Sequence, residues 1–355
     1  MTNPLASDLN HILSHTENLW EDVRGQRIFI TGGTGFFGIW LLESFAWAND
    51  HLNLNASFVV LTRDAEAFRK KAPHLANHQA IGFHVGDIRS YRFPEGEFSH
   101  IIHAAATSAV ATFHNEDPLV KFDTVVEGTR HTLDFAVRCH AKKFLLTSSG
   151  VVYGKQPSGM THISEDYCGA PDPADLNSAW GESKRAAEFL CALYSKKHGI
   201  ETKIARCFSF VGPYLPLDIH YAIGNFIRDG LSGGPIRVNG DGTPYRSYLY
   251  AADLAIWLWT ILLRGKVCHP YNVGSEHHIT VGELAHAVVQ CLQGPVEVQI
   301  TKTPVPDKPD ERYVPLTKRA QRELGLYQWI DLQEGIKRTM LFAQNATENN
   351  QGACS

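Results

Sequence analysis

The sequence has no CxxC pair. Its seven cysteines, Cys139, Cys168, Cys191, Cys207, Cys268, Cys291 and Cys354, are scattered and odd in number. That excludes a disulfide framework and a thiolate zinc site, and it implies a reducing, cytoplasmic compartment. Basic charge is not in excess either. With 33 Lys and Arg against 37 Asp and Glu the formal charge is −4, so no field for nucleic acid is present. Long apolar runs are also missing. The longest mainly apolar stretch, Leu254 to Leu263, has 10 residues, too few to span a bilayer. The first twenty residues include Asp8, Asn10, His11, His15, Glu17 and Asn18 and no apolar h-region, so no signal peptide is expected. Histidine is plentiful at 18 residues, yet no HExxH occurs. His74 and His78 stand four apart without a third ligand, so no metal is expected.

What is present is a chain of 355 residues, 44% apolar and 20% charged. At roughly 150 residues per domain it holds about two domains. Residues 1–25 read as an N-terminal helical segment, with Leu5, Leu9, Ile12, Leu13, Leu19 and Val23 at near-helical spacing over 5–23. From 26 to 211, short apolar runs (27–31, 58–62, 81–85, 100–103, 143–147) alternate with helical patterns (37–47, 65–71, 119–139, 179–198). This βαβ alternation predicts an α/β fold, a doubly wound parallel sheet covered on both faces. From 212 to 343 Gly and Pro become frequent and elements shorten. A smaller α/β substrate-binding region is expected there, returning one strand near 271–275 to the first domain. The polar tail, 344–355, is expected to fray.

The strongest local signal is Thr31-Gly32-Gly33-Thr34-Gly35-Phe36-Phe37-Gly38, after a strand and opening a helix. A helix N-terminus presents unpaired N–H groups and the positive dipole end, which suit a pyrophosphate. Gly32 and Gly35 let backbone approach phosphate, and Gly38 lets helix pack on strand. The loop therefore predicts a bound dinucleotide, NAD or NADP. At the end of the second run stands Arg63-Asp64. An Arg there suits the 2′-phosphate of NADP and an acidic residue the 2′-OH of NAD. Arg63, with Arg69, Lys70 and Lys71 nearby, leans the reading to NADP, while Asp64 keeps NAD open. These charges also suit a solvated helix face. Asp87 is placed to accept from the adenine amino group or, alternatively, to cap a helix.

With these segments in hand, the chain resembles the extended short-chain dehydrogenase/reductase superfamily, in its branch of NAD(P)-dependent nucleotide-sugar epimerases and dehydratases. The motifs are TGGTGFFG (31–38), GDI (86–88), HAAA (103–106), GT (128–129), SSGVVYG (148–154), WGESK (180–184), ARCFSFVGP (205–213), GDGTPYRSYLY (240–250) and NVGS (272–275). The resemblance implies a Rossmann domain that holds the cofactor through Gly32, Gly35, Phe36, Phe37, Gly38, Arg63, Asp87, Ile88, Ala104, Ala105 and Lys184. It implies a second region for a nucleoside-diphosphate sugar, with Asn225, Arg246 and Arg312 as phosphate ligands, since guanidinium forks suit a diphosphate. It also implies a homodimer built on the two long helices, 119–139 and 179–198.

In the superfamily a Ser or Thr, a Tyr and a Lys carry the chemistry. The Lys holds the nicotinamide ribose and lowers the Tyr pKa, and the Tyr moves the proton of a sugar hydroxyl. Ser149 and Lys184 match two of the three. The Tyr position, four before Lys184, holds Trp180. An indole only donates, so Trp180 is no general base. Three explanations stand: an inactivated or engineered variant, another proton carrier such as Tyr153 or a water, or a protein that binds without turnover. A second departure lies just after Ser149. The 4,6-dehydratases carry an Asp-Glu pair there, and sugar-acid decarboxylases a Glu. Here the residues are Gly150 and Val151. The pattern therefore points to a 4-epimerase or a 4-keto reductase, impaired by Trp180, with a non-catalytic binding protein or a 4,6-dehydratase as the alternatives.

Overall fold

A computed structural model describes residues 3–106, 116–219, 221–307 and 309–352. Seven parallel strands form the central sheet: β1 (Arg27–Thr31), β2 (Ser57–Thr62), β3 (Ile81–Val85), β4 (His100–His103), β5 (Lys143–Ser149), β6 (Glu201–Cys207) and β11 (Pro270–Val273). Their order is β11-β6-β5-β4-β1-β2-β3. Ile28, Phe29 and Ile30 of β1 and Phe144, Leu145 and Leu146 of β5 are fully buried, as expected of strands covered by helices on both faces. After β3 the chain crosses to the other side of β1 to form β4. That reversal opens a crevice at the carboxyl ends of β1 and β4, where such sheets bind ligands. This is the Rossmann-type α/β architecture expected.

Three elements depart from expectation. The N-terminal segment is an α-helix, Ala6–Thr16, followed by a tighter 3₁₀ turn, Glu17–Val23. Thr16 explains the change: its Oγ1 donates to the Ile12 carbonyl at 2.7 Å, and Trp20 Nε1 donates to that hydroxyl at 3.0 Å. Second, the polar residues after Ala343 continue the helix Leu332–Gly352 rather than fraying at once. Third, the second half returns a helix as well as the strand β11 to the first. The helix Ala251–Arg264 is buried along almost its whole length and packs on β5, β6 and β11. Its tryptophans are core: Trp259 Nε1 donates to Ser44 Oγ at 2.9 Å and Trp257 Nε1 to the Tyr327 carbonyl at 3.0 Å.

The remaining strands form small sheets above the carboxyl edge. β7 (Phe210–Val211) pairs with β10 (Leu249–Tyr250), and β8 (Ile236–Val238) with β13 (Val298–Ile300). β9 (Tyr245–Ser247) lies between β12 (His278–Thr280) and β14 (Arg312–Tyr313). In the β9–β14 pair Arg312 stands opposite Tyr245 and Tyr313 opposite Arg246.

Candidate active site

The glycine loop is shaped by close backbone approach. Gly32 has φ +72°, and a Cβ on it would stand 2.5 Å from the Ala104 carbonyl carbon and 2.6 Å from Ala105 N. A Cβ on Gly38 would stand 2.3 Å from Gly33 Cα. Gly35 is under no such pressure, its nearest neighbour being 3.4 Å away. The helix Phe36–Leu52 begins with Gly35 as a cap that brings no side chain. The N–H groups of Phe36, Phe37 and Gly38 precede the first ladder bond, Ile39 N–H to Gly35 O at 2.9 Å. They are the donors an anion needs, so the residues present fit a dinucleotide.

Ala104 and Ala105 are tied to β1 by bonds to Thr31 O (3.0 Å) and Thr31 Oγ1 (3.2 Å). Beneath them His103 bridges Thr31 Oγ1 at 2.8 Å and Thr129 Oγ1 at 3.1 Å. Burial pushes the His103 pKa down to about 3, so this imidazole is a neutral strut. At the ribose end Arg63 is exposed, while Asp64 caps the next helix by accepting from Ala67 N–H at 2.9 Å. Asp87 accepts from the Arg89 backbone N–H (3.0 Å) and the Arg89 guanidinium (2.9 Å). These bonds, the guanidinium's first, lower its pKa. Ile88 lies against Gly128, the glycine of the GT pair, where a Cβ would stand 2.8 Å from Ile88 Cγ1.

Lys184 is buried on the helix Ala179–His198, and its Nζ donates to the Thr147 carbonyl of β5 at 2.8 Å. Burial pushes its pKa down to about 8. Two residues further along β5, Ser149 accepts weakly from Val151 N–H at 3.4 Å. The helix register places Trp180 beside Lys184, with Nζ 5.2 Å from the ring centroid. Tyr153 is unavailable for proton transfer. Its hydroxyl donates to Asn272 Oδ1 at 2.7 Å, and Arg206 lies 4.7 Å over its ring. Burial pushes its pKa up to about 12. Gly150 has no room for a carboxyl, because a Cβ there would stand 2.6 Å from the Phe208 ring.

A tyrosine does reach Ser149, from a place no spacing rule indicates. Tyr313 Oη lies 3.4 Å from Ser149 Oγ and 3.4 Å from the Cys207 carbonyl. Its ring centroid is 4.6 Å from that of Phe208. Its strand neighbour in register, Arg246, lines a cavity of about 690 Å³ together with Asn225. Arg246 is itself held by Glu311 (2.5 Å) and the Tyr245 carbonyl (2.9 Å). Arg228 and Arg237 line the same cavity and were not foreseen, although Arg228 follows Asn225 by three on one helix and bonds its Oδ1 at 3.2 Å. Arg312 is placed differently from Arg246. Successive strand residues face opposite sides, so it leaves the side away from Arg246. It sits 3.9 Å over the Tyr245 ring, bonded to Asp310 at 2.8 Å, and does not line the cavity. His74 and His78 serve separate carboxylates, Glu43 at 2.7 Å and Asp50 at 3.2 Å.

Residues 28–274 match the family model described as NAD dependent epimerase/dehydratase family. UDP-glucuronic acid decarboxylase 6 of Arabidopsis thaliana is 32% identical over 313 residues, 87% of this chain and 86% of that protein. The chain belongs to the NAD dependent epimerase/dehydratase family. It is thereby one of a family of NAD-dependent enzymes. UDP-glucuronic acid decarboxylase 1 of Xenopus tropicalis is 28% identical over 92% of this chain and 75% of that protein. Among solved folds, UDP-glucose 4-epimerase of Thermotoga maritima has a TM-score of 0.74 at 19% identity, covering 90% of this chain and 99% of that one. The dTDP-glucose 4,6-dehydratase DesIV of Streptomyces venezuelae, with NAD bound, has a TM-score of 0.74 at 24% identity, over 91% and 98%. Tyr313 lies beyond the segment matched to the epimerase/dehydratase family.

Proposed function

We propose that the chain transfers hydride between a nicotinamide dinucleotide and the sugar of a nucleoside-diphosphate sugar, as a 4-epimerase or a 4-keto reductase. The observation that carries the reading is the continuous run of side chains along the carboxyl edge. It passes from the glycine loop to Lys184, bonded from its helix to the Thr147 carbonyl of β5, and to Ser149 at the end of β5, then to Tyr313, and through Arg246 into the cavity. The nicotinamide supplies or accepts the hydride. Lys184 holds its ribose, and Ser149 orients the reacting sugar oxygen. Asn225 and Arg246 take the diphosphate, with Arg228 and Arg237 around the nucleoside.

The decarboxylase and dehydratase names among the relatives call for reactions that need a carboxyl after β5. Gly150 and Val151 lack one, and the Phe208 ring denies position 150 a side chain. The cofactor reading leans to NADP. Asp64 is engaged as a helix cap, which leaves Arg63 to meet the adenine ribose. A homodimer is supported by the paired helices Pro118–Arg138 and Ala179–His198, which leave Leu119 and Phe189 exposed at 67% and 65%; light scattering tests it. A cytoplasmic site accords with the free cysteines. Among the described residues, no helix is long and apolar enough to cross a membrane.

Trp180 favours a second reading, a protein that binds both ligands without turnover. Incubation with UDP-, dTDP-, CDP- and GDP-sugars in the presence of NAD(H) or NADP(H), read by NMR of the sugar, decides. A changed configuration at C4 or a reduced keto sugar supports the enzyme. Tight binding with no product from any of the four supports the binder.

A further inference from the structure

We propose that Tyr313 is the proton donor of this site and that the site serves the reductive direction, converting the ketone of a 4-keto nucleotide sugar to an alcohol. This rests on the hydride-transfer reading above and narrows it.

Oxidation of a sugar hydroxyl requires a base to remove its proton. Trp180 has none to offer. His103 is buried with both ring nitrogens engaged by Thr31 and Thr129. Tyr153 is bound to Asn272, and the Lys184 ammonium donates to the Thr147 carbonyl. Among the described residues, Ser149 Oγ and Tyr313 Oη stand together as a pair of hydroxyls, 3.4 Å apart. The bonds of the Tyr313 hydroxyl to Ser149 and to the Cys207 carbonyl are long at 3.4 Å, so a substrate oxygen displaces little by taking the place of either. Burial raises the Tyr313 pKa, which keeps the phenol protonated and able to donate. Reduction needs such a donor. The carbonyl carbon gains hydride from a reduced nicotinamide, the C=O π pair becomes an O–H bond, and the proton comes from Tyr313 Oη. The phenolate then takes a proton from water. Arg246, in register on the neighbouring strand, bears positive charge beside that phenolate. Because Arg246 also lines the cavity, a sugar on a diphosphate held there falls next to Tyr313.

The test is Tyr313→Phe, assayed by loss of NADPH absorbance with the 4-keto-6-deoxy sugars of UDP, dTDP, CDP and GDP. The expected result is a fall in kcat of at least about a hundredfold, in the range of general acid catalysis. Affinity for the matching nucleoside diphosphate, measured by calorimetry without cofactor, should stay within about twofold, since it loses no contact. Trp180→Tyr added to Tyr313→Phe should restore kcat to within about tenfold of the parent, because a phenol again reaches the same oxygen. A Tyr313→Phe variant as fast as the parent overturns the proposal and leaves the hydride-transfer reading standing. A slow variant that Trp180→Tyr does not rescue makes Tyr313 structural and also overturns it. A parent that reduces none of the four keto sugars while epimerising an ordinary nucleotide sugar overturns the reductive assignment alone. A parent that turns over neither kind overturns both readings.

Discussion

The two ends of this site are built in different ways. The glycine loop at the cofactor end is one contiguous segment, residues 31–38, in which backbone contacts dictate the residue type at Gly32 and Gly38. The edge beyond it draws Ser149 from β5, Lys184 from a helix, Arg246 from β9 and Tyr313 from β14, spread over 165 residues of chain. A binding loop made of backbone tolerates almost no change. A catalytic set made of side chains tolerates replacement of a member, provided another part of the chain brings the needed group to the same place. With Tyr313 as the proposed donor, the Trp at 180 and the Tyr at 313 are the two halves of that lesson.

The sharpest way to break the comparison is at the loop. Gly38→Ala puts a methyl 2.3 Å from Gly33 Cα. It should cost about 2–3 kcal/mol of stability and abolish dinucleotide binding, whereas Gly35→Ala, with 3.4 Å of clearance from the protein, should leave the stability nearly intact while weakening the dinucleotide, whose phosphate the backbone there approaches. Thermal unfolding and cofactor titration of the two variants check this. Similar losses of stability in both would mean that backbone crowding does not explain the loop.

Next in size is Trp180→Tyr. It supplies an ionisable group one helical turn from Lys184 and should raise the rate of sugar-hydroxyl oxidation by at least about a hundredfold. Progress of epimerisation on one identified nucleotide sugar measures it, and a parent already as fast as the variant removes Trp180 from the chemistry. Arg63→Ala should weaken NADP(H) by about 1.5–3 kcal/mol, roughly ten- to 150-fold, and leave NAD(H) nearly unchanged. Equal loss of both, in parallel fluorescence titrations, would end the lean to NADP.

The smallest effect tests the scaffold. His74 Nε2 bonds buried Glu43 at 2.7 Å, and that bond outweighs burial in raising the His74 pKa. A base whose folded pKa is raised stabilises fully below its ordinary value near 6.5, and that contribution is lost as pH rises through the folded value. His74 is half exposed, so the contribution is discounted for solvent screening. Between pH 6 and 9 the melting temperature of the parent should fall by about 1–2 °C relative to His74→Ala. Parallel melting curves across that range would show that the pair contributes nothing.

Much of this was legible in the chain alone. The parallel sheet follows from apolar runs alternating with helical patterns, and the segments at 65–71, 81–85, 100–103 and 179–198 coincide with observed elements. The dinucleotide loop and the Trp180–Lys184 spacing were legible for the same reason: each lies within one or two turns of chain, where geometry follows from local backbone periodicity. The break of the first helix at Thr16 was hidden because it depends on side-chain bonds to Ile12 and Trp20. Only tertiary structure decided that the helix Ala251–Arg264 belongs to the Rossmann core, that Arg246 meets the cavity while Arg312 turns away, and that Tyr313 meets Ser149. Those outcomes depend on which strands pair and in what register. A register shift of one residue would exchange Tyr313 with Arg312, and pairing between β9 and β14, whose partners stand 67 residues apart, leaves no trace in the spacing of either.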